Sequence, residues 1–291
     1  MKIELGGPVL AVDIGGTKVA AGVVGPDGRV RCHRQAPTAS PDGEALFAKL
    51  VALAEATLAE HDGPVGACGV GSGGPARDHH RLLSPLNIDV WRDFPLQERL
   101  SAVLGLPVAV DNDAKALALA EGWVGAAVGE DNYLAMVVST GVGGGIVLNG
   151  RLLDGADGNA GHIGHVFVTE GGRADAAGAV GLLEGQASGT AIADLLDGVA
   201  PAEAPPETRR RVGTLVGRGV GSVANLLDLR LAVAGGSVAL GYGDDFFSAA
   251  QAEIDHICRL IHSRGTRIVP SPLGPHGGLI GAAAVAARLL G

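Results

Sequence analysis

At 291 residues the chain is long enough for two modest domains and a sizeable core. Apolar residues make up 47% and charged residues 18%, which excludes a disordered chain, and aromatics at 3% leave the core to Ala, Val and Leu. A net charge of -9 without a basic patch argues against a nucleic-acid surface; the run Arg209, Arg210, Arg211 beside Glu203 and Glu207 reads as a solvated loop edge or helix start. The cysteines, Cys32, Cys68 and Cys258, are scattered and never spaced C-x-x-C, so neither a disulfide framework nor a cysteine-rich metal site is indicated. A reducing compartment follows. No signal-peptide pattern opens the chain and no apolar run approaches the roughly 18 residues of a membrane span, so a cytoplasmic protein with no membrane partner is expected.

In chain order, Val9 to Val30 reads as a strand ending at Asp13, a turn through Gly15, Gly16, Thr17 and Lys18, a returning strand and a second turn at Asp27-Gly28. Residues Gly43 to His61 carry Leu46, Phe47, Leu50, Leu53, Ala54 and Leu58 at helical spacing, which predicts an amphipathic helix. A short strand, Val65 to Val70, leads into a stretch matching G-x-G-x-x-G from Gly69 to Gly74. A dinucleotide fingerprint needs a helix next, and Pro75 to His80 has no helical stripe, so that reading is rejected. Pro107 to Asn112 is a strand that ends in Asp111-Asn112-Asp113, and Ala114 to Trp123 is a helix. Polar residues at the carboxyl end of a strand are well placed for chemistry, although Asn or Asp before a helix also serves as an N-cap; both roles can coexist.

The stretch from Leu134 to His165 repeats the plan of the N-terminal segment: strand, Ser139-Thr140, a glycine cluster at Gly141, Gly143, Gly144 and Gly145, a returning strand, and an Asn149-Gly150 turn. It reads either as a phosphate cradle, in which glycine N–H groups and hydroxyls converge on an anion, or as a plain hairpin with a flexible tip. Two such hairpins, one per domain, suggest a ligand gripped between domains. Further on, Leu182 to Leu196 reads as a helix carrying Glu184, Val212 to Leu227 as another, and Leu231 to Ala234 as a strand running into Gly235-Gly236. Phe246 to Ile261 is helical, Thr266 to Val269 a strand and Gly281 to Leu290 a terminal alanine-rich helix. Strands and helices alternate throughout, which is an α/β class.

No G-x-x-x-x-G-K-[ST] is present, so a P-loop is excluded. The ordered set of motifs instead resembles the ROK family of sugar kinases and repressors, within the actin-like ATPase and hexokinase superfamily, over nearly the whole chain. Asp13-Ile-Gly-Gly-Thr-Lys18 looks like the first phosphate motif and Ser139-Thr-Gly-Val-Gly-Gly-Gly145 like the second. Asn112-Asp113-Ala114 resembles the segment whose Asp is the catalytic base, Gly164-His165 the G-H that ends the signature loop, and Glu184 the sugar-binding Glu. Asn87 with Trp91 resembles the N-x-x-x-W near the sugar pocket, and Gly235-Gly236 the adenosine-binding pair. The resemblance implies two ribonuclease-H-like (actin-like ATPase) domains with the active site in the interdomain cleft. Residues 1–112 with the final helix, 279–291, would form the smaller domain and residues 113–278 the larger.

The activity so implied is transfer of the γ-phosphate of ATP to a hexose hydroxyl, most readily O6 of glucose or a related hexose or amino sugar. Asp113 is then the base, and Asn87, Asn112, His162, His165 and Glu184 orient the sugar. Asp13, Gly15, Gly16, Thr17, Lys18, Thr140, Gly141, Gly143, Gly235 and Gly236 would contact the nucleotide, with Mg²⁺ held near Asp13 through water. Lys18 either neutralises phosphate charge or is merely solvated. A homodimer is the family habit.

Two departures stand out. The family's zinc-binding cysteines fall on Asp175, Ala177 and Leu182, too few donors for tetrahedral zinc, so no structural zinc is expected and apolar packing around Leu182 and Leu183 would hold the loop. Where the family has Glu, this chain has His162, which offers one donor and one acceptor instead of acceptors alone. Either the same sugar is tolerated or a different hexose or amino sugar is selected. Family repressors carry a DNA-binding segment ahead of the first phosphate motif, and that motif begins here by Leu10, so the alternative is a non-catalytic sugar sensor without a DNA-binding domain. The donor could be ATP or polyphosphate.

Overall fold

The computed structural model describes residues 3–175 and 178–290. Its backbone divides into two compact units. The first runs from the N-terminus to Val128 and also takes Leu152–Ala160 and the chain from Leu273 onward; the second comprises Gly129–Arg151 and Gly161–Pro272.

The first unit holds a five-stranded sheet. Its strands are β1 (Val9–Ile14), β2 (Lys18–Val24), β3 (Val30–Pro37), β4 (Cys68–Ser72) and, after a two-stranded ribbon β5 (Ala76–Arg77) and β6 (Leu82–Leu83), β7 (Val108–Asn112). The order across the sheet is β3-β2-β1-β4-β7, with β2 antiparallel to β1 and β3, and β1, β4 and β7 parallel. The parallel strands β1, β4 and β7 are buried along almost their whole length and are apolar up to the polar residues at their carboxyl ends, Asp13, Ser72 and Asp111-Asn112, as strands covered on both faces require. One face is covered by α1 (Gly43–Glu60), capped by Asp42, and α2 (Leu96–Leu104); their Leu46, Leu50, Leu96 and Leu100 are fully buried with Leu10, Val12 and Trp91. The other face is covered by α3 (Asp113–Val124) and by the C-terminal helix Gly277–Leu290.

The expected division after Asn112 differs from this grouping. Helix α3 stays with the first unit because it is apolar almost all round: Ala114, Ala116, Leu117, Ala118, Leu119 and Ala120 are all buried, and such a helix needs cover on every face. The C-terminal helix supplies it, crossing so closely that a Cβ on Gly281 would stand 2.5 Å from the Ala116 backbone. That helix begins at Gly277, four residues ahead of the expected Gly281.

The second unit repeats the same plan. Strands β8 (Tyr133–Val138), β9 (Val142–Leu148), β10 (Arg151–Leu152), β11 (Leu231–Gly235) and β12 (Arg267–Pro270) lie in the order β10-β9-β8-β11-β12, with β9 antiparallel to β8 and β11 parallel to both β8 and β12. The internal repeat in the sequence is therefore a repeated sheet topology. Its helices are α4 (Leu183–Ala187), α5 (Gly189–Leu195), α6 (Pro206–Leu227), α7 (Ser237–Tyr242) and α8 (Asp244–Ile257), which makes the C-terminal helix α9. The single helix expected over 182–196 is two, because Ser188 leaves helical geometry and caps the second, its Oγ accepting the Ala191 N–H at 3.1 Å. The Arg209–Arg211 run lies in the first turns of α6, where Arg210 pairs with Asp245 at 2.8 Å. Among the described residues no helix is long and apolar enough to cross a membrane.

Candidate active site

In the first unit the glycine turn between β1 and β2 is closed by the Gly15 N–H donating to the Lys18 carbonyl at 2.9 Å. Thr38 fastens it from outside: its hydroxyl donates to the Gly15 carbonyl at 2.7 Å and its N–H to the Thr17 carbonyl at 3.1 Å. The Thr17 and Lys18 side chains are left exposed. Gly16 has a specific reason to lack a side chain, since a Cβ there would lie 2.8 Å from the Cβ of Asn87; the glycine is what lets Asn87 reach the turn. Trp91, four residues on, is fully buried, donates to the Gly43 carbonyl at 3.1 Å and stacks on Phe94, so it supports the Asn87 loop from within the core.

The strand ends then line up. Asp13 is in register with Gly71 of β4, and Gly71 with Asp111 of β7. The first turn of α3 packs over β4 at Gly71, with the Asp113 Cα 3.5 Å from where a Cβ would stand, an ordinary contact distance. Asn112 caps α3, its Oδ1 accepting the N–H groups of Ala114 at 3.0 Å and Lys115 at 3.3 Å, while Asp113 Oδ1 accepts the Ala114 N–H at 2.8 Å. Burial pushes the Asp13 carboxyl up to about 7; the nearby Asp113 adds to the rise and Lys18 opposes it. The start of α9 presses on the same carboxylate, and a Cβ on Gly278 would collide with it.

In the second unit Ser139 and Gly141 make the turn, with the Ser139 N–H donating to the Gly141 carbonyl at 2.9 Å. The Thr140 carbonyl accepts from the Thr190 hydroxyl at 3.1 Å, and the Ser139 carbonyl from the Gly189 N–H at 2.7 Å. The Ser139 and Ser237 hydroxyls share a hydrogen bond of 3.0 Å, and Gly236 lies against the Val138 backbone, so Gly235-Gly236 and Thr140-Gly141 meet at one edge of the sheet. Gly143 does not belong to that turn. It lies within β9, paired with Val137, and the neighbouring Gly144 is needed for a close approach: a Cβ there would stand 2.9 Å from the Gly161 carbonyl and from Ile163. The glycine run thus serves two purposes, a turn at its start and a seat for the His162 loop further along.

His162 and His165 face each other edge-on at 5.8 Å. His165 Nε2 lies 3.4 Å from a carboxylate oxygen of Asp175, whose side chain is buried and also accepts the Ala179 N–H at 2.9 Å. Glu184 accepts the Val142 N–H at 2.8 Å, which ties α4 to the first residue of β9. Of the three positions aligned with the family cysteines, Asp175 pairs with His165, Leu182 is half-buried and bridges to Phe167, and Ala177 lies outside the described residues. The His165 ring thus lies beside the buried Asp175 carboxylate in a loop that also carries the fully buried Leu183. Among the described residues no three His, Cys, Asp or Glu side chains are grouped to hold a metal ion.

Sequence reasoning missed Gly278, and it missed a charged cluster of Asp111, Lys115, Asp154 and Arg288 behind Asp113. One signal was available for the cluster: Lys115 is the cation of α3, a helix otherwise mostly of Ala and Leu, and a lysine so placed needs a partner.

The sequence pattern of the ROK family matches residues 9–288, nearly the whole chain. The protein belongs to the ROK family. The ROK glucokinase of Streptomyces griseus, solved with glucose and AMPPNP, superimposes with a TM-score of 0.85 at 30% identity, covering 97% of this chain and 100% of that one. The fold is accordingly the two-domain actin-like ATPase fold of the family's sugar kinases. N-acetylmannosamine kinase of Escherichia fergusonii is 38% identical over 80% of this chain and 84% of its own length. A glucokinase of Halalkalibacterium halodurans is 40% identical over 63% of this chain, and the match spans only 57% of that relative.

Proposed function

We propose that this ROK protein is a sugar kinase that transfers the γ-phosphate of ATP to a hexose hydroxyl, with Asp113 as the general base. The observation that carries the reading is the row of strand ends in the first unit, where Asp13 and Asp113 stand close enough for one to raise the other's affinity for a proton, beside the Gly15-Gly16 turn. Two carboxylates in such proximity suit a reaction that must both take a proton and tolerate a phosphate with its cation.

Asp113 accepts the hydroxyl proton as the sugar oxygen attacks the γ-phosphorus and ADP leaves. Asn112, fixed as a cap, sets the direction of that carboxylate. Asp13 fits a divalent cation: its raised affinity for a proton marks a buried negative charge without sufficient compensation, and Mg²⁺ held through water would neutralise phosphate oxygens there. The turn N–H groups of Thr17, Thr140 and Gly141 and the hydroxyls of Thr17 and Thr140, with Gly235-Gly236, bind the nucleotide. Asn87, His162 and Glu184 meet the sugar. His165, turned to Asp175, acts by holding the His162 loop.

Glucokinase and N-acetylmannosamine kinase both stand among the relatives, and His162 is where this chain's hydroxyl recognition departs from an acceptor-only carboxylate. O6 of glucose or of a related hexose or amino sugar is the acceptor we infer, and no structural zinc is required. A coupled ADP-release assay over glucose, mannose, allose and the amino and N-acetyl sugars, with metal analysis of the purified protein, tests this; ATP turnover indifferent to every sugar would overturn it, and stoichiometric zinc would overturn the metal-free loop.

A further inference from the structure

Lys115 is the second residue after the proposed base, sits in the first turn of α3, and is only 1% exposed. A buried ammonium must have all three protons accepted. Here they are: Lys115 Nζ lies 3.0 Å from Asp111 Oδ1, donates to Asp154 Oδ1 at 2.9 Å and donates to the Gly158 carbonyl at 2.8 Å. Arg288 of α9 closes the figure, one guanidinium nitrogen on Asp111 Oδ2 at 3.0 Å and the other on Asp154. Two carboxylates and two cations balance, each acid touching both bases. The His80 ring borders the cluster, with Nε2 at 3.4 Å from Asp111.

The three elements joined here are those that matter for the proposed chemistry. Asp111 immediately precedes Asn112 and Asp113, and its Oδ1 also accepts the Asn112 N–H at 2.8 Å. Arg288 belongs to the helix whose start presses on Asp13. Asp154 and Gly158 lie in Leu152–Ala160, a segment that belongs to the first unit while the chain on either side belongs to the second. That segment is a closed loop: the Ala160 N–H returns to the Asp154 carbonyl at 3.0 Å, and the Asn159 amide makes two bonds with the Ala76 backbone at 2.9 and 3.2 Å. Gly158 leaves room for the His80 ring, which a Cβ would approach to 2.9 Å. His162 follows two residues after this loop ends.

We propose that Lys115 is a positioning residue for the sugar step: by holding Asp154 and Gly158 against Asp111, it fixes the point from which the His162 loop leaves and the strand end from which Asn112 and Asp113 project. This rests on the sugar-kinase reading. The cluster acts on the sugar side of the reaction and leaves nucleotide binding alone.

Lys115→Met removes the ammonium and leaves two carboxylates against one guanidinium. Lys115→Met combined with Asp154→Asn restores the balance, because Asp111 keeps Arg288, yet it leaves Gly158 unanchored. We expect the double variant to melt close to the wild type while its sugar KM is raised about tenfold to a hundredfold and its ATP KM stays within about twofold. Amide exchange across residues 155–165 should quicken about tenfold in the ligand-free protein. If the single variant does not fold, the balanced double variant carries the whole test. Recovery of sugar KM together with melting temperature would reduce Lys115 to a structural charge and overturn the proposal, as would unchanged exchange or an equal rise in both KM values. The exchange measurement does not depend on kinase activity, so a wild-type protein that phosphorylates no sugar would sink the kinase reading while leaving the anchoring role of Lys115 separately decided.

Discussion

The two sheets have the same strand order and end in the same kind of glycine turn, but their carboxyl edges carry opposite chemistry. In the first unit the edge is charged, with Asp13, Asp111 and Asp113 at the ends of β1 and β7 and at the start of α3. In the second it is neutral, with Ser139, Thr140, Gly235, Gly236 and Ser237 at the ends of β8 and β11 and at the start of α7. One topology has been used twice, once to gather carboxylates at its strand ends and once to offer hydroxyls and bare backbone. Substitutions in the charged edge should therefore show pH-dependent effects, and those in the neutral edge should not.

The largest effect is expected at Asp113. Asp113→Asn should lower kcat by about a thousandfold with sugar binding, measured by calorimetry, nearly unchanged; near-normal turnover would remove Asp113 from the role of base. Asp13→Asn comes next and should separate function from stability. The folded-state pKa of Asp13, about 7, lies above its ordinary value of 3.8, so between those values the folded protein holds a proton that the unfolded chain releases. Stability therefore falls progressively as pH rises from about 4 to about 7, because only the unfolded chain gains by releasing the proton there, and the loss is complete above that. The Asp13→Asn side chain is uncharged at every pH, so this variant should be several degrees more resistant to heat than the wild type at pH 8 in the ligand-free state. It should have no such advantage at pH 4, while its ATP-dependent turnover falls steeply. A melting difference independent of pH would show that the Asp13 carboxylate is not a burden to the fold.

In the second unit the effects are smaller. Glu184→Ala deletes the acceptor of the Val142 N–H and should cost about 1–2 kcal/mol in denaturant unfolding, together with a raised sugar KM, whereas Glu184→Gln, which keeps an acceptor oxygen, should recover most of the stability. Ser237→Ala breaks the hydroxyl pair with Ser139 and should raise the ATP KM a few-fold, equally at pH 6 and pH 8. A marked pH dependence for Ser237→Ala would erase the distinction between the two edges.

Much of this was legible in the sequence because it is local. A strand that runs into a glycine turn, and Asn-Asp opening an alanine-rich helix, are written in contiguous residues, and both hairpins and the α3 start lie where those patterns put them. The less legible features depend on approach between distant parts of the chain. Gly143 and Gly144 look like turn residues until the Gly161–Ile163 loop is seen resting on the strand they occupy. The break at Ser188 depends on that residue capping a second helix where the apolar spacing continues unbroken. Lys115 finds Asp154 across 39 residues, and Arg288 finds Asp111 across 177, so neither pairing leaves a mark in spacing. The extension of α9 to Gly277 matters for a similar reason: two glycines at a helix start read as a loop, and only their packing on Asp13 shows why no side chain is allowed at Gly278.

The most direct test of the central claim is ADP release from ATP and Mg²⁺, measured with and without each hexose of the panel. At least one hexose should stimulate turnover by well over an order of magnitude, with the stimulation lost in Asp113→Asn. ATP turnover that proceeds at the same rate whether or not a sugar is present, or that survives in Asp113→Asn, would contradict the account.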